Sequence, residues 1–525
     1  MKAHIVGGGF AGLAAAALLI RHANMSGPDI TIYEAEDKLG GGFFLDGDAE
    51  HGYNLPGSIF DKEFRCALDL LGTIPTQYYP NINVAEQFLT FNQEHPFDDR
   101  THIVDGNLRR VHDPLRYGLT LGDGFTLAKL SLTPESSLDG QLIKDWFSPR
   151  FFETEFWLLW STLMGSLPQH TVIEFRRYLN RFVYLFPDLS TMAHVFRSQF
   201  NQHEAFVKPL VAWLEGKQVT FVKGAFVSDI EFAASSGGMT VNRLKCERGD
   251  VARWVDVTSD DIVLVTTGSQ AADLSAGTMD APPPSPPHPG RSWALWKTLA
   301  EKHKGFGNPD VFFGTPLIAD SRWVTFTVTT TGKQFLDEIT NLTHSGAGTG
   351  GLLTLKDSPW VISLSIFDQP EVLSQPPGTS VWWGYGLFPE KTGKFVNKPM
   401  YQCTGREILS ELLQHLNFAT STEIMQSSIC IPCNMPYVNN IWLPRKRGDR
   451  PPVVPEGVTN LGLLGQYVEL ERDIAFTFEY STRTAWEAVY RLVKRGPPPP
   501  DVYQGQYDLH GVWLATKVFL GLTKT

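Results

Sequence analysis

Three spacings in this sequence invite a chemical reading. The first is Gly7-Gly8-Gly9-Phe10-Ala11-Gly12, a G-x-G-x-x-G turn made by Gly7, Gly9 and Gly12, with Glu34 further on. Glycines so placed let the backbone turn tightly and approach a pyrophosphate, and an acid about 20 residues on can take ribose hydroxyls. The second is Tyr178 with Arg176, Arg177 and Arg181 around it. Those arginines are either a solvated face, the plainer reading, or a way of raising positive potential near a tyrosine hydroxyl or a substrate carboxylate. A third spacing, Cys430-x-x-Cys433, invites a zinc or redox reading. It has no second cysteine pair or histidine pair at ligand spacing, so two buried thiols and no metal site are expected.

The elements that must position the glycines are readable around them. His4-Ile5-Val6 is a short strand, Leu13 to Arg21 a strong helix former, and Ile30-Thr31-Ile32-Tyr33 a second strand ending at Glu34. The helix N-terminus then faces phosphate charge. Leu39-Gly40-Gly41-Gly42 is a second glycine-rich turn close behind the acid, which favours FAD over NAD. Asp261 to Thr267 reads as a buried strand ending at Gly268-Ser269. Thr459 to Tyr467 gives a strand with a glycine turn, and Thr477 to Leu492 a helix whose N-terminus again points at the cofactor. The cofactor-binding set is therefore Gly7, Gly9, Gly12, Glu34, Ala35, Gly41, Gly42, Val227, Ser269, Gly465 and Thr477.

Composition narrows the class. The chain has 525 residues, enough for about two to four domains, and 42% hydrophobic with 19% charged residues is the balance of a soluble globular protein. A formal net charge of -11 and the lack of a basic tract argue against nucleic acid as a partner, and an anionic substrate would need a local basic site. Met1 leaves no room for a signal or transit peptide before the first strand, and no run of about 18 apolar residues occurs. Five cysteines fit a reducing compartment. The expected localisation is cytoplasmic, peripheral to a membrane if the tail rests on one.

Phe64 to Gly72 reads as an amphipathic helix closed by glycine. Between Arg150 and about Ser198 lies a helical block rich in aromatics, among them Phe152, Phe156, Trp157, Trp160, Phe175 and Phe182. It fits a pocket for a long hydrocarbon and a packed helical core equally well. Strands around Val324 to Val328, Trp360 to Ser365 and Val381 to Tyr385 alternate as an antiparallel sheet does. The expected fold is α/β, with a Rossmann-type FAD-binding domain discontinuous over 1–75, 205–280 and 455–495. A substrate domain of antiparallel sheet and helices takes 76–204 and 290–454, with a proline-rich linker at 281–289 and a helical tail at 496–525. The tail places Val512, Trp513, Ala515, Val518, Phe519 and Leu520 with Lys517 and Lys524, an amphipathic helix suited to a membrane surface or, more commonly, to docking on its own protein.

Several motifs in order resemble the oleate hydratases, also called myosin-cross-reactive antigens. They include Gly7 to Arg21 with Glu34, Glu174-Phe175-Arg176-Arg177-Tyr178-Leu179-Asn180-Arg181-Phe182, Asn201-Gln202-His203-Glu204, Pro432-Cys433-Asn434-Met435-Pro436-Tyr437, Gly448-Asp449-Arg450-Pro451, Gly465-Gln466-Tyr467-Val468-Glu469 and Glu479-Tyr480-Ser481-x-Arg483. The resemblance covers nearly the whole chain. It implies an FAD-dependent protein, often dimeric, that adds water across an isolated cis double bond of an unsaturated long-chain fatty acid without net redox change. It also implies Tyr178 as the proton donor to the alkene.

The family's glutamate, in an R-G-G-R-E stretch that activates water, does not carry over. Here the chain reads Pro56-Gly57-Ser58-Ile59-Phe60-Asp61, so Ile59 or Phe60 takes the position and both arginines are gone. Loss of a general base costs roughly 10²–10⁴ in rate. Asp61 and Glu63 are acids that a shifted loop would bring in as substitutes, although surface charges at a helix start are the simpler reading. The readings are thus a divergent hydratase, a double-bond isomerase using the same protonation, and a catalytically silent flavin- and lipid-binding protein, with a flavin oxidase the least favoured.

Overall fold

Short apolar strands that each end in a glycine or an acid build the sheet on which the site rests. The structure is a computed structural model that describes residues 1–57, 59–113, 115–235, 238–284 and 290–522; residues 285–289 of the proline-rich stretch and Lys524 of the tail lie outside the described residues. The first elements are β1 (Ala3–Val6), α1 (Phe10–Ala23), β2 (Ile30–Glu34), α2 (Arg65–Leu71), α3 (Val84–Glu94), α4 (Leu121–Leu132), α5 (Glu155–Met164) and α6 (Val172–Arg181). There follow β3 (Thr220–Lys223), β4 (Phe226–Ser235), β5 (Gly238–Arg248), β6 (Val251–Asp256) and β7 (Ile262–Thr266). The last are β8 (Trp323–Thr331), β9 (Leu353–Leu355), β10 (Ile362–Ser365), β11 (Thr379–Gly386), β12 (Ser428–Met435), β13 (Leu461–Leu464), α7 (Phe478–Val493) and α8 (Leu509–Phe519).

Five strands from three distant parts of the chain form one parallel sheet in the order β13-β7-β1-β2-β3. A parallel sheet is covered on both faces, which is why β7 and β13 read as unbroken apolar runs. Helix α1 is buried along nearly its whole length, and its Ala14 to Ala17 run lets it lie close to α7. At its far end His22 stacks on Trp486 with ring centroids 4.7 Å apart. A three-stranded antiparallel meander, β4-β5-β6, follows β3 directly.

The second sheet has seven strands in the order Ser275–Ala276, β12, β8, β11, β10, β9, Ile103–Val104, and its pairs are antiparallel except the last. Side chains alternate across a strand, so neighbouring tryptophans of β11 go to opposite faces. Trp382 stacks on Phe335 in the core behind the sheet, whereas Trp383 and Tyr385 face the other way with Trp323. The same alternation separates the two cysteines of β12: Cys430 belongs to the core behind the sheet and Cys433 to the Trp323 side, both as free buried thiols.

The aromatic block is a packed core. Phe147 stacks on Phe151 at 4.0 Å, and Trp160 meets Phe175 edge-on at 5.5 Å. These contacts clamp α6, whose N-terminus is capped by the side chain of Thr171. The tail helix α8 docks on its own protein through Gly511, Ala515 and Val518, with Phe519 meeting Phe186 at 5.0 Å. Its Leu509, Trp513 and Leu520 stay exposed. Among the described residues no helix is long and apolar enough to cross a membrane.

Candidate functional site

In an open parallel sheet, ligands bind beyond the carboxyl ends of the strands. Gly7 follows β1, Ala35 follows β2, Val227 lies just past β3, Ser269 follows β7 and Gly465 follows β13. Thr477 is the N-cap of α7, its hydroxyl accepting from the Tyr480 amide at 3.2 Å. All of these sequence-derived positions therefore gather at one edge.

The turn itself is tightly specified. Gly7 has φ +102°, and a methyl group there would lie 2.1 Å from Thr266 Oγ1; one on Gly12 would lie 2.0 Å from the Gly7 carbonyl oxygen. Only glycine allows this helix to begin so close to the strand. The Gly40 amide donates to the Gly8 carbonyl at 2.9 Å, which sets the second glycine turn, with Gly41 and Gly42, against the first. Gly9 caps α1 without a side-chain hydrogen bond and no acid stands in the first turn, so the amino end of the helix is left for an anion.

Glu34 completes the edge. Its carboxylate accepts from the Gly8 amide at 2.6 Å and the Glu36 amide at 2.9 Å. Burial pushes its pKa up, and the amide bonds oppose that. Bare backbone at a helix start, a close second glycine turn and an acid at the second strand's end form a cradle that fits FAD.

Tyr178 lies on α6, 1% exposed. Its hydroxyl oxygen accepts a hydrogen bond from the Phe476 amide at 2.8 Å, one residue before the cap of α7. The phenol therefore meets the cradle at the amino end of α7. Its ring packs on Trp442 with centroids 4.4 Å apart. Burial, then the charge of Glu174, raise its pKa well above the ordinary value, opposed by the Phe476 amide and Arg450.

The arginines around the phenol are not a solvated face. Arg177 is buried and pairs with Glu135 at 2.9 Å and Glu469 at 2.7 Å. Arg181 is buried against Asp61 at 3.3 Å. Arg176 is half-buried and stands 3.5 Å from Glu135. Glu174, one helical turn before Tyr178, is held by Arg445 at 2.7 Å and Arg450 at 3.0 Å. Burial raises the Glu174 carboxyl, but Arg450, Arg445 and Arg177 outweigh it and hold it at about 2. Glu174, Arg450 and Glu469 stand in the sequence motifs given above and Arg445 outside them, and nothing local in the sequence signals that these four residues meet.

The loop lacking the glutamate is filled with aromatic rings. Phe60 is buried against Phe206 and Phe478 at 5.2 Å each and against Phe88 at 5.6 Å. Phe60 and Phe196 exchange backbone hydrogen bonds of 2.8 and 2.9 Å, which pin the loop. Gly57 lies against the indole ring of Trp383. Asp61, 3% exposed, is not a surface charge: it accepts from the Tyr184 hydroxyl at 2.7 Å besides pairing with Arg181. Glu63 is half-buried and pairs with Arg65 at 2.9 Å. A further carboxylate, Glu479 of α7, accepts from the Cys66 and Ala67 amides at 3.0 and 2.8 Å and so fixes the start of α2.

The sequence profile of the MCRA family matches residues 1–490. The chain belongs to the MCRA family. Within reach of that membership are an oleate hydratase of Streptococcus pyogenes serotype M49 (strain NZ131), 33% identical over 97% of this chain and 88% of that protein, and a linoleate hydratase of Lactiplantibacillus plantarum, 30% identical over 94% and 93%. Among solved structures, the cyclohexylamine oxidase from Brevibacterium oxydans IH-35A has a TM-score of 0.53 at 14% identity, covering 94% of this chain and 98% of that one. A putrescine oxidase bound to putrescine has a TM-score of 0.55 at 10% identity, covering 94% and 99%. At such identities the likeness is one of fold, and it covers 94% of this chain.

Proposed function

We propose that this protein holds FAD in the cradle and adds water across an isolated cis double bond of an unsaturated long-chain fatty acid, with Tyr178 delivering the proton. One observation carries the reading. The phenol oxygen takes a backbone N–H from Phe476, while among the described residues its own O–H meets no acceptor. The proton is thus left for a guest, and the amide is already placed to stabilise the phenolate that its departure creates. The oleate and linoleate hydratases among its relatives support the substrate class.

In this reading Gly7, Gly9 and the start of α1 take the pyrophosphate and Glu34 the ribose hydroxyls, with Ala35, Gly41, Gly42, Val227, Ser269, Gly465 and Thr477 along the rest of the cofactor. Bound FAD would contribute electrostatic stabilisation and undergo no net redox change. Tyr178 gives its proton to one alkene carbon, water adds to the other and loses a proton, and the phenol is reprotonated. The buried arginine and glutamate network keeps α6 in register for that transfer. Exposed Leu509, Trp513 and Leu520 beside Lys517 support a peripheral membrane contact through the tail.

Phe60 favours a second reading. With an apolar side chain, Ile59 or Phe60, where the family's glutamate would stand, the protonated intermediate can instead lose a proton from a neighbouring carbon, which moves the double bond. Incubation of the FAD-loaded protein with oleate and linoleate in deuterium oxide separates the outcomes. Deuterated hydroxy acid is expected of a hydratase, and deuterium in an acid with a moved double bond and no added oxygen of an isomerase. Lipid that binds but is recovered unaltered overturns both.

A further inference from the structure

With so acidic a chain, an anionic substrate calls for a basic group of its own, and among the described residues the guanidinium of one buried arginine has no hydrogen-bond partner. Arg197 is 8% exposed, yet its Nε, Nη1 and Nη2 are all buried with no hydrogen-bond partner among the described residues. Burying a guanidinium in that state is strongly unfavourable unless something completes it.

Its setting says what shape the missing partner has. The Arg197 amide donates to Asn92 Oδ1 at 2.9 Å and its carbonyl accepts from Asn92 Nδ2 at 2.8 Å, so the backbone is fixed against α3. The guanidinium carbon lies 4.3 Å from the ring centre of Phe97 and 5.2 Å from that of Phe91. Two aromatic rings lie against the guanidinium without satisfying its N–H groups, and the planar fork those groups form matches a carboxylate. The acids that bear on it electrostatically, Asp368 and Glu371, make no ion pair with it. Glu204 is committed to Lys208, the Asn201 side chain and the Leu373 amide.

The position suits the proposed chemistry. Phe196, the preceding residue, is bonded to Phe60 in the loop beside the cradle. Phe367, which precedes Asp368, and Phe476, whose amide holds the phenol, both pack against one apolar cluster containing Trp323 and Trp383.

We infer that Arg197 is the anchor for the substrate carboxylate, setting how far along the chain the double bond meets Tyr178. The inference rests on the fatty-acid reading above. The other basic region, a cleft of about 420 Å³ lined by Arg176, Arg447 and Arg472, is a poorer candidate, because Glu135, Asp139, Glu469 and Glu471 line it too.

The test is calorimetric binding of oleate and of its uncharged methyl ester to FAD-loaded protein carrying Tyr178→Phe, which by the reading above binds without turnover and serves as the parent for each variant. Arg197→Gln should weaken oleate binding about 10- to 100-fold, the worth of a charged hydrogen-bonded pair, and change ester binding less than about 3-fold. Arg197→Lys, which keeps the charge but not the fork, should fall between and keeps the test open if the glutamine variant does not fold. An Arg447→Gln, Arg472→Gln double variant should bind both as the parent does. Equal loss of acid and ester, unchanged oleate binding in folded Arg197 variants, loss in the double variant instead, or no oleate binding by the parent would each overturn the assignment. Because binding is read without turnover, oleate binding through Arg197 together with a wild type that converts nothing would sink the hydratase reading and leave this one standing.

Discussion

The Phe476 amide and the Tyr178 hydroxyl lie 2.8 Å apart, with the amide as donor. That bond joins α6 to the amino end of α7 and leaves the phenolic proton uncommitted. Burial and the charge of Glu174 raise the phenol's pKa well above its ordinary value near 10. A general acid works only while protonated, so a raised pKa extends activity upward in pH. Turnover should hold to about pH 10 with no fall attributable to this group; a decline with a midpoint clearly below that would mean another acid delivers the proton.

Gly12→Ala should empty the cradle. Its methyl group would sit 2.0 Å from the Gly7 carbonyl oxygen, which forces α1 away from β1. The expected cost is about 1–3 kcal/mol of stability, and the purified variant should be colourless where the wild type carries flavin absorbance. Wild-type flavin content in this variant would contradict the placement of the pyrophosphate.

Asp61→Asn separates a structural acid from a chemical one. It leaves the buried Arg181 without its carboxylate, so denaturant unfolding should show a loss of about 3–5 kcal/mol, while turnover per folded molecule stays within about 3-fold. The opposite pattern, intact stability with turnover gone, would make Asp61 the substitute for the missing glutamate.

Acid should destabilise the protein over two pH ranges. His170 Nδ1 accepts from the Leu167 amide at 3.0 Å, which requires a neutral ring, and burial lowers its pKa to about 4 against the bond to the Asp320 carbonyl. A histidine depressed in this way contributes fully above its ordinary value near 6.5, and the contribution is lost as pH falls from there to about 4. Glu174, held at about 2 by its arginines, contributes fully above about 4.5 and loses that between 4.5 and 2. Each is worth about 3 kcal/mol. Melting temperature against pH should show both declines, and His170→Gln should lessen the first without abolishing it, because burial lowers the buried His102 to about 4 as well; a first decline of unchanged size would remove His170 as a contributor.

The glycine turns were legible because the requirement they meet is local: one residue type permits φ +102° at Gly7 and close packing at Gly12. The return of Ile262–Thr266 to the sheet was legible as an apolar run stopped by glycine, and Trp382 and Trp383 on opposite faces follow from strand alternation. Arg177 and Arg181 were not legible. On a helix wheel they look like solvated charges, and their burial depends on Glu135, Glu469 and Asp61 arriving from distant segments. Phe60 shows the same limit: its apolar character is plain in sequence, but its place among Phe88, Phe206 and Phe478 is set by tertiary packing alone.

The central claim is that the proton reaching the alkene comes from Tyr178. FAD-loaded wild type and Tyr178→Phe, incubated with oleate in deuterium oxide and read by mass spectrometry, test it directly. The account predicts one carbon-bound deuterium per product molecule from the wild type and a fall of about 10²–10⁴ in its formation by a phenylalanine variant that still melts and binds flavin normally. Deuterated product from that variant at the wild-type rate would contradict it.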